Sequence, residues 1–250
     1  MNFDETPDTR RTGAISGEDV RHGTGVNSNR AFPTNNYPSN LDPFVLFERF
    51  YIDPETGFPM HPHRGFEIVS YMLGGGMDHE DSLGVSHTAS EGDVMRITAG
   101  RGIRHSEFPA GGEACNGLQL WVNLPREAKT VEPDYADASG DELPTEQVDG
   151  ATVTTVIGDG SPIELETPME YLDVHVDDAW TWDISEGWTG FLYGVSGTGT
   201  VDEEHFESGD VFTVRDAQRV DIRTNDALRF VAVSGRPHGE PIRQRGPFVL

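Results

Sequence analysis

The sequence predicts an all-β protein made of two small antiparallel barrels in tandem, and three observations support this fold class. Short apolar segments of strand character alternate with Gly-rich turns from about residue 41 to residue 236. No segment shows helical periodicity over a useful length. The turn Glu91-Gly92-Asp93-Val94 recurs as Ser208-Gly209-Asp210-Val211, which indicates an internal duplication with a period of roughly 120 residues.

The chain divides into five segments by composition. Residues 1–40 are polar and are expected to form an N-terminal arm, and 41–135 form the first barrel. Residues 136–150 are acidic and contain proline, as a linker would, while 151–236 form the second barrel and 237–250 a C-terminal segment. The first barrel is expected to contain strands at Glu67 to Leu73, Met77 to Asp81, Val94 to Thr98 and Gly117 to Leu124, the last of which ends at Pro125.

The charge balance is strongly acidic, and the acidic residues are spread along the whole chain. There are 43 acidic and 18 basic residues, which gives a formal net charge of -25, and Lys129 is the only lysine. The Debye length falls to ~3 Å at 1 M salt, so a salt-rich cytoplasm screens the self-repulsion of such a chain. The composition is typical of a halophile-like organism, and it argues against binding to nucleic acids or anionic membranes.

No segment predicts a membrane anchor or an export signal. No apolar run reaches the roughly 18 residues of a transmembrane helix. The apolar region that a twin-arginine export signal requires does not follow Arg10-Arg11. Cys115 is the only cysteine, which excludes an internal disulfide and suits a small buried side chain. We therefore expect a cytoplasmic protein.

Two short segments pair metal-ligating side chains at positions i and i+2. They are His61-Pro62-His63 and His105-Ser106-Glu107. Alternate side chains of a strand leave on one face, so the members of each pair point together. If the two strands face each other, three imidazoles and one carboxylate converge, a set that suits divalent iron, manganese, copper, nickel or zinc. The remaining histidines stand singly, at His22, His79, His87, His175, His205 and His238.

Pro62 places a limit on the strand that carries the first pair. Proline has no backbone N–H and is poorly tolerated in a central strand. An edge strand or a β-bulge is therefore the expected setting for His61 and His63.

The same segments carry a resemblance to a known family. Gly57 to Gly74 matches much of the first cupin motif, and Gly92, Gly100 and His105 match the second more loosely. Four segments point to one particular family among the cupins. They are residues 61–67, Thr98 to Glu107, Gly117 to Pro125 and the closing Gly246-Pro247-Phe248-Val249. Together they resemble the pirin family over about Leu41 to Val249. The resemblance implies two cupin barrels (jelly-roll, or double-stranded β-helix) in tandem, with one divalent metal ion in the N-terminal barrel.

The resemblance assigns His61, His63, His105 and Glu107 as the metal ligands. Glu67 is expected on the face of His61 and His63, where it would hydrogen-bond a ligand or act as a base, with direct coordination of the metal as the alternative. Three imidazoles and one carboxylate leave two positions of an octahedral shell open, which favours a catalytic or substrate-binding site over a structural one. Fe(II) is the first choice, with Mn, Cu, Ni and Zn as alternatives.

Some pirins resemble quercetin 2,3-dioxygenases in activity. The expected function is a metal-dependent dioxygenase that acts with O2 on a flavonol-like or other aromatic enediol, with Glu107 or Glu67 as the base. Phe58, Met60 and Phe66 are candidates for the pocket wall, although core positions are the preferred expectation for them. The alternatives are an iron-dependent redox sensor that acts on a protein partner without turnover, and an isomerase or hydrolase with a Lewis-acid ion.

The other charged side chains near these segments are expected to have structural roles and not to bind metal or substrate. Asp78, Glu80 and Asp81 beside His79 could form a second metal cluster, but a solvated acidic turn is the preferred expectation. Arg64 and Arg104 lie on the strand faces opposite to the ligands and are expected to form ion pairs on the acidic surface. The second half keeps the scaffold but has no His-X-His, and His175 and His205 are expected at its surface.

The acidic composition generates a prediction about stability. Because salt screens the repulsion among excess carboxylates, we expect the melting temperature to rise by several degrees between 0.1 and 2 M KCl, where about 1 kcal/mol corresponds to roughly 2–4 °C. Differential scanning calorimetry across a KCl series measures this shift. A melting temperature that is flat or falls with KCl would contradict the salt-adaptation hypothesis.

Overall fold

The computed structural model describes residues 13–215 and 219–250, and the Arg10-Arg11 pair lies outside these ranges. The all-β prediction is confirmed, because the described residues form strands and only three short 3-10 helices, Ala110–Gly112, Arg126–Ala128 and Gly140–Glu142. The strands of the first half are β1 (Ile15–Ser16), β2 (Glu18–Arg21), β3 (Val26–Phe32), β4 (Phe44–Ile52), β5 (Phe58–His63), β6 (Phe66–Gly74), β7 (Met77–Asp81), β8 (Ser86–Ala89), β9 (Val94–Thr98), β10 (Ile103–Pro109), β11 (Cys115–Asn123) and β12 (Asp134–Ala138). Those of the second half are β13 (Thr145–Val148), β14 (Ala151–Ile157), β15 (Met169–Val176), β16 (Ala179–Asp183), β17 (Thr189–Val201), β18 (Glu204–Glu207), β19 (Asp210–Arg215), β20 (Arg219–Arg223), β21 (Leu228–Gly235), β22 (Gln244–Arg245) and β23 (Phe248–Val249).

The first barrel consists of two antiparallel sheets that face each other. The larger sheet has the order β12-β9-β6-β11-β4-β3-β2, and the smaller has the order β5-β10-β7-β8. Apolar side chains from both sheets meet in two clusters, one around Phe50 and Met72 and the other around Phe66 and Ile103. Cys115 is buried in the first of these clusters, in the small apolar role expected for it.

The second barrel is a ten-stranded antiparallel sheet, in which β1-β19-β17-β21-β15-β14-β13 form one path and β16, β18 and β20 close the other side. Its interior is apolar throughout, since Trp182, Phe206, Phe212 and Phe230 are all buried in one cluster. The repeated turn appears in both barrels with the same backbone, because Gly92 and Gly209 both have φ of 87°. Only glycine adopts such a conformation without strain.

An extensive apolar interface joins the two barrels. Phe191 of β17 makes edge-to-face contacts with Phe32, Phe44 and Phe47 of the first half, at ring-centroid distances of 5.0, 5.4 and 4.9 Å. All four rings are fully buried. Aromatic pairs in this geometry stabilise beyond their buried area by about 0.5–1.5 kcal/mol each, so the two halves pack as one unit.

A buried polar contact accompanies this interface. The Tyr71 hydroxyl donates to Asp173 Oδ2 across the interface at 2.9 Å. Arg229 binds the same carboxylate in a bidentate manner, with Nε–Oδ1 and Nη2–Oδ2 distances of 3.1 and 2.7 Å. Each oxygen of the buried Asp173 therefore has a partner, which removes the cost of burying an isolated charge.

The segments outside the two predicted barrels contribute strands to them. In the arm, β1 pairs with β19 of the second barrel, through Ile15↔Val211, while β2 and β3 extend the large sheet of the first barrel. Within the predicted linker, β12 runs to Ala138 in the first barrel and β13 pairs with β14 of the second. The domain boundaries themselves stay predictions.

No helix among the described residues is long and apolar enough to cross a membrane.

The interface generates a prediction about stability. Phe191→Ala removes a buried ring that contacts three others, so we expect the free energy of unfolding to fall by about 3–5 kcal/mol. Urea denaturation followed by fluorescence measures the loss. Phe108 is 40% exposed, and Phe108→Ala is the matched control, with an expected loss of about 1 kcal/mol or less. Equal losses in the two variants would contradict the central role of Phe191.

Candidate metal centre

The four-stranded sheet brings the two predicted donor segments together. Strand β10 carries His105 and Glu107 and pairs with β5 in antiparallel register, so that His105 lies opposite His61. His63 lies opposite Ile103, two pairs further along. As Pro62 requires, β5 is an edge strand, and the pairing contains a bulge between His105 and Glu107.

The three histidines form a tight cluster. Their ring centroids are 4.7 Å apart for His61 and His63, 4.4 Å for His61 and His105, and 4.9 Å for His63 and His105. One ring nitrogen from each lies within 4.8 Å of the others. These spacings allow all three imidazoles to reach one ion placed between them.

Backbone carbonyls orient two of the three imidazoles. His61 Nδ1 donates to the Pro59 carbonyl oxygen at 2.9 Å, and His63 Nδ1 donates to the Pro247 carbonyl oxygen at 3.2 Å. A carbonyl can only accept, so Nδ1 carries the proton and Nε2 keeps its lone pair for a metal ion. Pro247 is a functional contact that the sequence did not indicate, although its segment belongs to the motifs singled out above.

Several buried polar atoms of the cluster have no hydrogen-bond partner. His105 is 1% exposed and Glu107 is 2% exposed, yet both ring nitrogens of His105 and Oε1 of Glu107 are unpartnered. Each such atom costs about 1–3 kcal/mol when its hydrogen bond is left unmade. A divalent cation satisfies nitrogen and carboxylate donors together, so the residues present fit a metal ion of the kind that mixed imidazole and carboxylate ligands bind.

Burial keeps the histidines of the cluster neutral, which is the form that binds a metal ion. Desolvation lowers the pKa of His63 to about 4, with a smaller contribution from the nearby His61. It lowers the pKa of His105 further still. The histidines are therefore neutral at pH 7, with a lone pair available. Desolvation also raises the pKa of Glu107 to about 7, so this carboxyl holds its proton more tightly than an exposed one, and a cation bound beside it would favour the ionised form.

Glu67 lies apart from the cluster, contrary to the expectation that it shares a face with His61 and His63. Gly65 has φ of 81° and turns the chain between β5 and β6, so Glu67 points to the side of β6 that packs against the second barrel. Its Oε1 accepts from Thr98 Oγ1 at 2.7 Å, and its Oε2 accepts from the backbone N–H of Glu166 at 3.1 Å. With both oxygens engaged there, Glu67 hydrogen-bonds no ligand of the cluster.

The acidic turn expected around His79 is also placed differently. Residues 77–81 form strand β7, in which His79 is fully buried and Asp81 is 8% exposed, while Asp78 and Glu80 face solvent. Because side chains alternate along a strand, every second residue of this segment is buried, although its composition is almost entirely polar. His79 also stacks on the ring of Tyr135, with centroids 4.7 Å apart. The solvated-turn interpretation is therefore wrong for His79 and Asp81.

A pocket of ≈ 220 Å³ opens beside the histidines, between the two sheets of the first barrel. Its lining combines ligand candidates with apolar and polar side chains: His22, Arg30, Leu46, Glu48, Phe58, His61, His63, Glu107, Gln119, Trp121 and Gln244. Of the three side chains considered for its wall, Phe58 is present, Phe66 is buried in the core and Met60 is 43% exposed.

A charged network that sequence reasoning missed forms one wall of this pocket. Glu48 Oε2 accepts from Arg30 Nε at 2.8 Å and from Ser28 Oγ at 3.0 Å, and Oε1 lies 3.2 Å from His22 Nε2. Burial alone would raise the pKa of Glu48, but His22 and Arg30 outweigh it and hold the pKa below its ordinary value. The partners come from β2–β3 and their connection, a segment whose polar composition indicated only an arm.

The arginines near the site differ in their pairing. Arg101 binds Glu132 at 2.6 Å. Arg104 Nη2 donates to the Met60 carbonyl oxygen at 3.2 Å, and within residues 13–215 and 219–250 neither Arg64 nor Arg104 forms an ion pair. The expectation of surface ion pairs for these two is therefore not met among the residues described.

The second barrel offers no comparable centre in the part of the chain that the structure describes. Its His175 and His205 have side chains that are 53% and 69% exposed, as expected. The interior is filled instead by apolar side chains such as Trp182.

Two family models match this chain. The model described as Pirin matches residues 25–122, and the model described as Pirin C-terminal cupin domain matches residues 171–250. One match falls in each barrel, so the tandem cupin architecture expected from the sequence is confirmed.

Characterised sequences of animals and plants are similar over most of the chain. Human Pirin is 42% identical over 224 residues, which cover 84% of this chain and 77% of the human protein. Pirin-1 of Arabidopsis thaliana is 40% identical over 228 residues, which cover 84% of this chain and 77% of that protein.

Solved structures share the architecture. A quercetin 2,3-dioxygenase from Acinetobacter baumannii superposes with a TM-score of 0.87 and 26% identity, over 96% of this chain and 91% of that one. Bacterial pirin YhhW from Escherichia coli, in complex with nickel(II), superposes with a TM-score of 0.73 over 88% of this chain and 95% of that one, at 24% identity. The second comparison supports the fold alone.

The position of Glu67 generates a prediction about pH dependence. Burial raises the pKa of Glu67 to about 7, above the ordinary value of about 4.3. The folded state therefore holds this proton more tightly, and its stability falls as the pH rises from about 4.5 to about 7. At about 1.4 kcal/mol per pKa unit, the full loss is on the order of 3 kcal/mol.

Glu67→Gln tests this dependence, because the amide keeps the shape of the side chain and does not ionise. We expect the free energy of unfolding of the variant, relative to the unchanged protein, to improve steadily between pH 4.5 and pH 7.5. Urea denaturation across this range measures the difference, in which the titrations of all other groups cancel. A difference that stays constant with pH would contradict a buried carboxyl at this position.

Proposed function

This chain belongs to the pirin family, and we propose that it is a metal-dependent dioxygenase with quercetin 2,3-dioxygenase-type activity on flavonol-like or other aromatic enediol substrates. The proposed ligands are His61, His63, His105 and Glu107. The observation that carries the proposal is the position of this donor cluster, since three of its four members, His61, His63 and Glu107, line an open pocket. A structural metal site would be enclosed by its ligands.

The pocket walls suit a planar aromatic molecule. Phe58 and Trp121 present aromatic rings and Leu46 an aliphatic side chain, all on the lining of the same pocket as the histidines. Trp121 is held in place by its Nε1, which donates to Gln119 Oε1 at 3.1 Å. A mostly apolar cleft with a few placed polar groups is the usual form of a small-molecule site. The quercetin 2,3-dioxygenase from Acinetobacter baumannii has the same architecture.

Glu107 is the proposed base. It lines the pocket, whereas Glu67 has both carboxylate oxygens engaged on the far side of β6. Without a bound ion, burial raises the pKa of Glu107 to about 7, and a bound cation would favour the ionised form that a general base requires. Glu107 would accept the proton of the substrate hydroxyl, and the apolar walls would exclude water from the ionised substrate.

The proposed metal is Fe(II), with Mn, Cu, Ni and Zn as alternatives. Three imidazoles and one carboxylate provide mixed nitrogen and oxygen ligation, which suits iron. When bound, such an ion stabilises an ionised substrate oxygen and provides the redox chemistry that O2 requires.

The proposed setting is a salt-rich cytoplasm. The net charge of -25 supports it, because high ionic strength screens the repulsion that this charge creates. An aromatic enediol of microbial origin is then the expected class of physiological substrate, with quercetin as the convenient probe.

Turnover by iron-loaded protein tests the proposal. We expect anaerobically Fe(II)-loaded protein in 2 M KCl to consume O2 and release carbon monoxide when quercetin is added. His61→Ala removes one of three imidazoles, and we expect at least about a 100-fold loss of turnover, since loss of one central catalytic interaction costs on this scale. His175→Ala is the matched control, because this histidine is exposed on the second barrel, and its turnover should be unchanged.

Two results would contradict the proposal. One is the absence of O2 uptake and carbon monoxide by protein that demonstrably holds iron, which would favour the iron-dependent redox sensor. The other is full turnover by His61→Ala, which would place the reaction elsewhere in the molecule.

A further inference from the structure

The donor face of the four-stranded sheet extends beyond the cluster described above. Strand β10 is central, with β5 on one side and β7 on the other. In the pairing with β7, His79 lies opposite Glu107 and Asp81 lies opposite His105. Side chains of directly opposed residues share one face of a sheet, so β10 has donors on both of its sides.

His79 has the surroundings of a metal ligand. Its Nε2 lies 3.4 Å from Asp81 Oδ2, while Asp81 Oδ1 is fixed by the backbone N–H groups of Leu83 and Val85, at 2.8 and 3.1 Å. Because the carboxylate accepts, Nε2 carries the proton and Nδ1 keeps its lone pair. This Nδ1 is buried and has no hydrogen-bond partner. A carboxylate that orients the far nitrogen of an imidazole is the common arrangement behind a metal-binding histidine.

The donors of His79, His105 and Glu107 converge. One ligand atom from each lies within 4.8 Å of the others, and the three residues are 0%, 1% and 2% exposed. An ordinary core histidine would have its second nitrogen satisfied. Here all three side chains contain buried polar atoms without a hydrogen-bond partner, and a cation bound among them would satisfy one atom of each.

We propose that His79, His105 and Glu107 form an inner metal position. It is distinct from the outer position, at which His61 and His63 join the same His105 and Glu107, and the protein's metal ion occupies one or the other. The inference rests on the proposed function only in that the same divalent ion serves both positions. A neutral imidazole has one lone pair, so His105 ligates one ion at a time and the two positions exclude each other.

The two positions differ in their relation to the pocket. His61 and His63 line it, whereas His79 does not. The outer position therefore presents the ion to a substrate, and the inner position holds it deeper in the barrel, behind His105. The ligand sets differ in their nitrogens, of which there are three at the outer position and two at the inner one, while the Glu107 carboxylate is common to both.

Zn(II) binding to variants that lack the outer position tests the inference. Protein with His61→Ala and His63→Ala keeps the inner ligands, and we expect it to bind one equivalent of Zn(II) by calorimetric titration at pH 7. Adding His79→Ala should weaken this binding by at least about 100-fold, since loss of an orienting partner alone already costs 10–100-fold. Adding His79→Phe should do the same while it keeps an aromatic ring against Tyr135.

His87→Ala is the matched control. His87 lies on β8 directly opposite His79, but it belongs to neither donor group. When added to the His61→Ala, His63→Ala variant, it should leave the Zn(II) affinity within about threefold. Circular dichroism and the melting temperature without metal check that each variant is folded.

The possible outcomes separate this inference from the proposed function. If the unchanged protein binds one equivalent and the His61→Ala, His63→Ala variant binds none, the inner position is overturned while the outer one stands. If the His79 variants bind as tightly as the variant that retains His79, the inner position is also overturned. One equivalent that depends on His79 and not on His87 supports it.

Discussion

Buried donor atoms without protein partners are the constraint on which the first barrel depends. Both ring nitrogens of His105, Oε1 of Glu107 and Nδ1 of His79 are enclosed and unpartnered, which costs about 1–3 kcal/mol for each atom. The surrounding apolar clusters must supply this stabilisation, and a bound cation would return much of it. The second barrel has no such group of metal-ligating donors among its described residues, since its interior is packed with side chains such as Trp182. The apolar second barrel thus stabilises the first barrel, which contains the unpartnered donors.

The interface between the two barrels connects the second barrel to the wall of the pocket. Side chains of β6 and β11 alternate between the pocket side and the side that contacts the second barrel. On β11, Gln119 and Trp121 line the pocket, whereas Leu118 and Leu120 belong to the core shared by both barrels. A strand with one face against each barrel cannot shift without disturbing both. The packing around Phe191 therefore fixes the position of the pocket wall.

The sequence predicted those features that depend on local spacing. The i and i+2 pattern paired His61 with His63, and Pro62 indicated an edge strand, because both follow from the geometry of a single strand. The sequence did not predict features that depend on contacts between distant segments. The carbonyl of Pro247 that orients His63 lies 184 positions away. The burial of His79 was not predicted for another reason. Strand alternation buries this residue within a run of acidic residues whose composition indicates a solvated segment.

The choice of carboxylate depends on one backbone position. A strand that continued regularly past His63 would place Glu67 on the metal side, but Gly65 has φ of 81° and redirects the chain. A side chain there would be strained and would overlap with the carbonyl oxygen of Val249. The same turn accepts a hydrogen bond from Lys129 Nζ at 2.7 Å. The C-terminal segment therefore packs against the glycine that directs Glu67 to the interface. The carboxylate of the proposed metal centre is instead that of Glu107 on β10, which follows His105 by two residues.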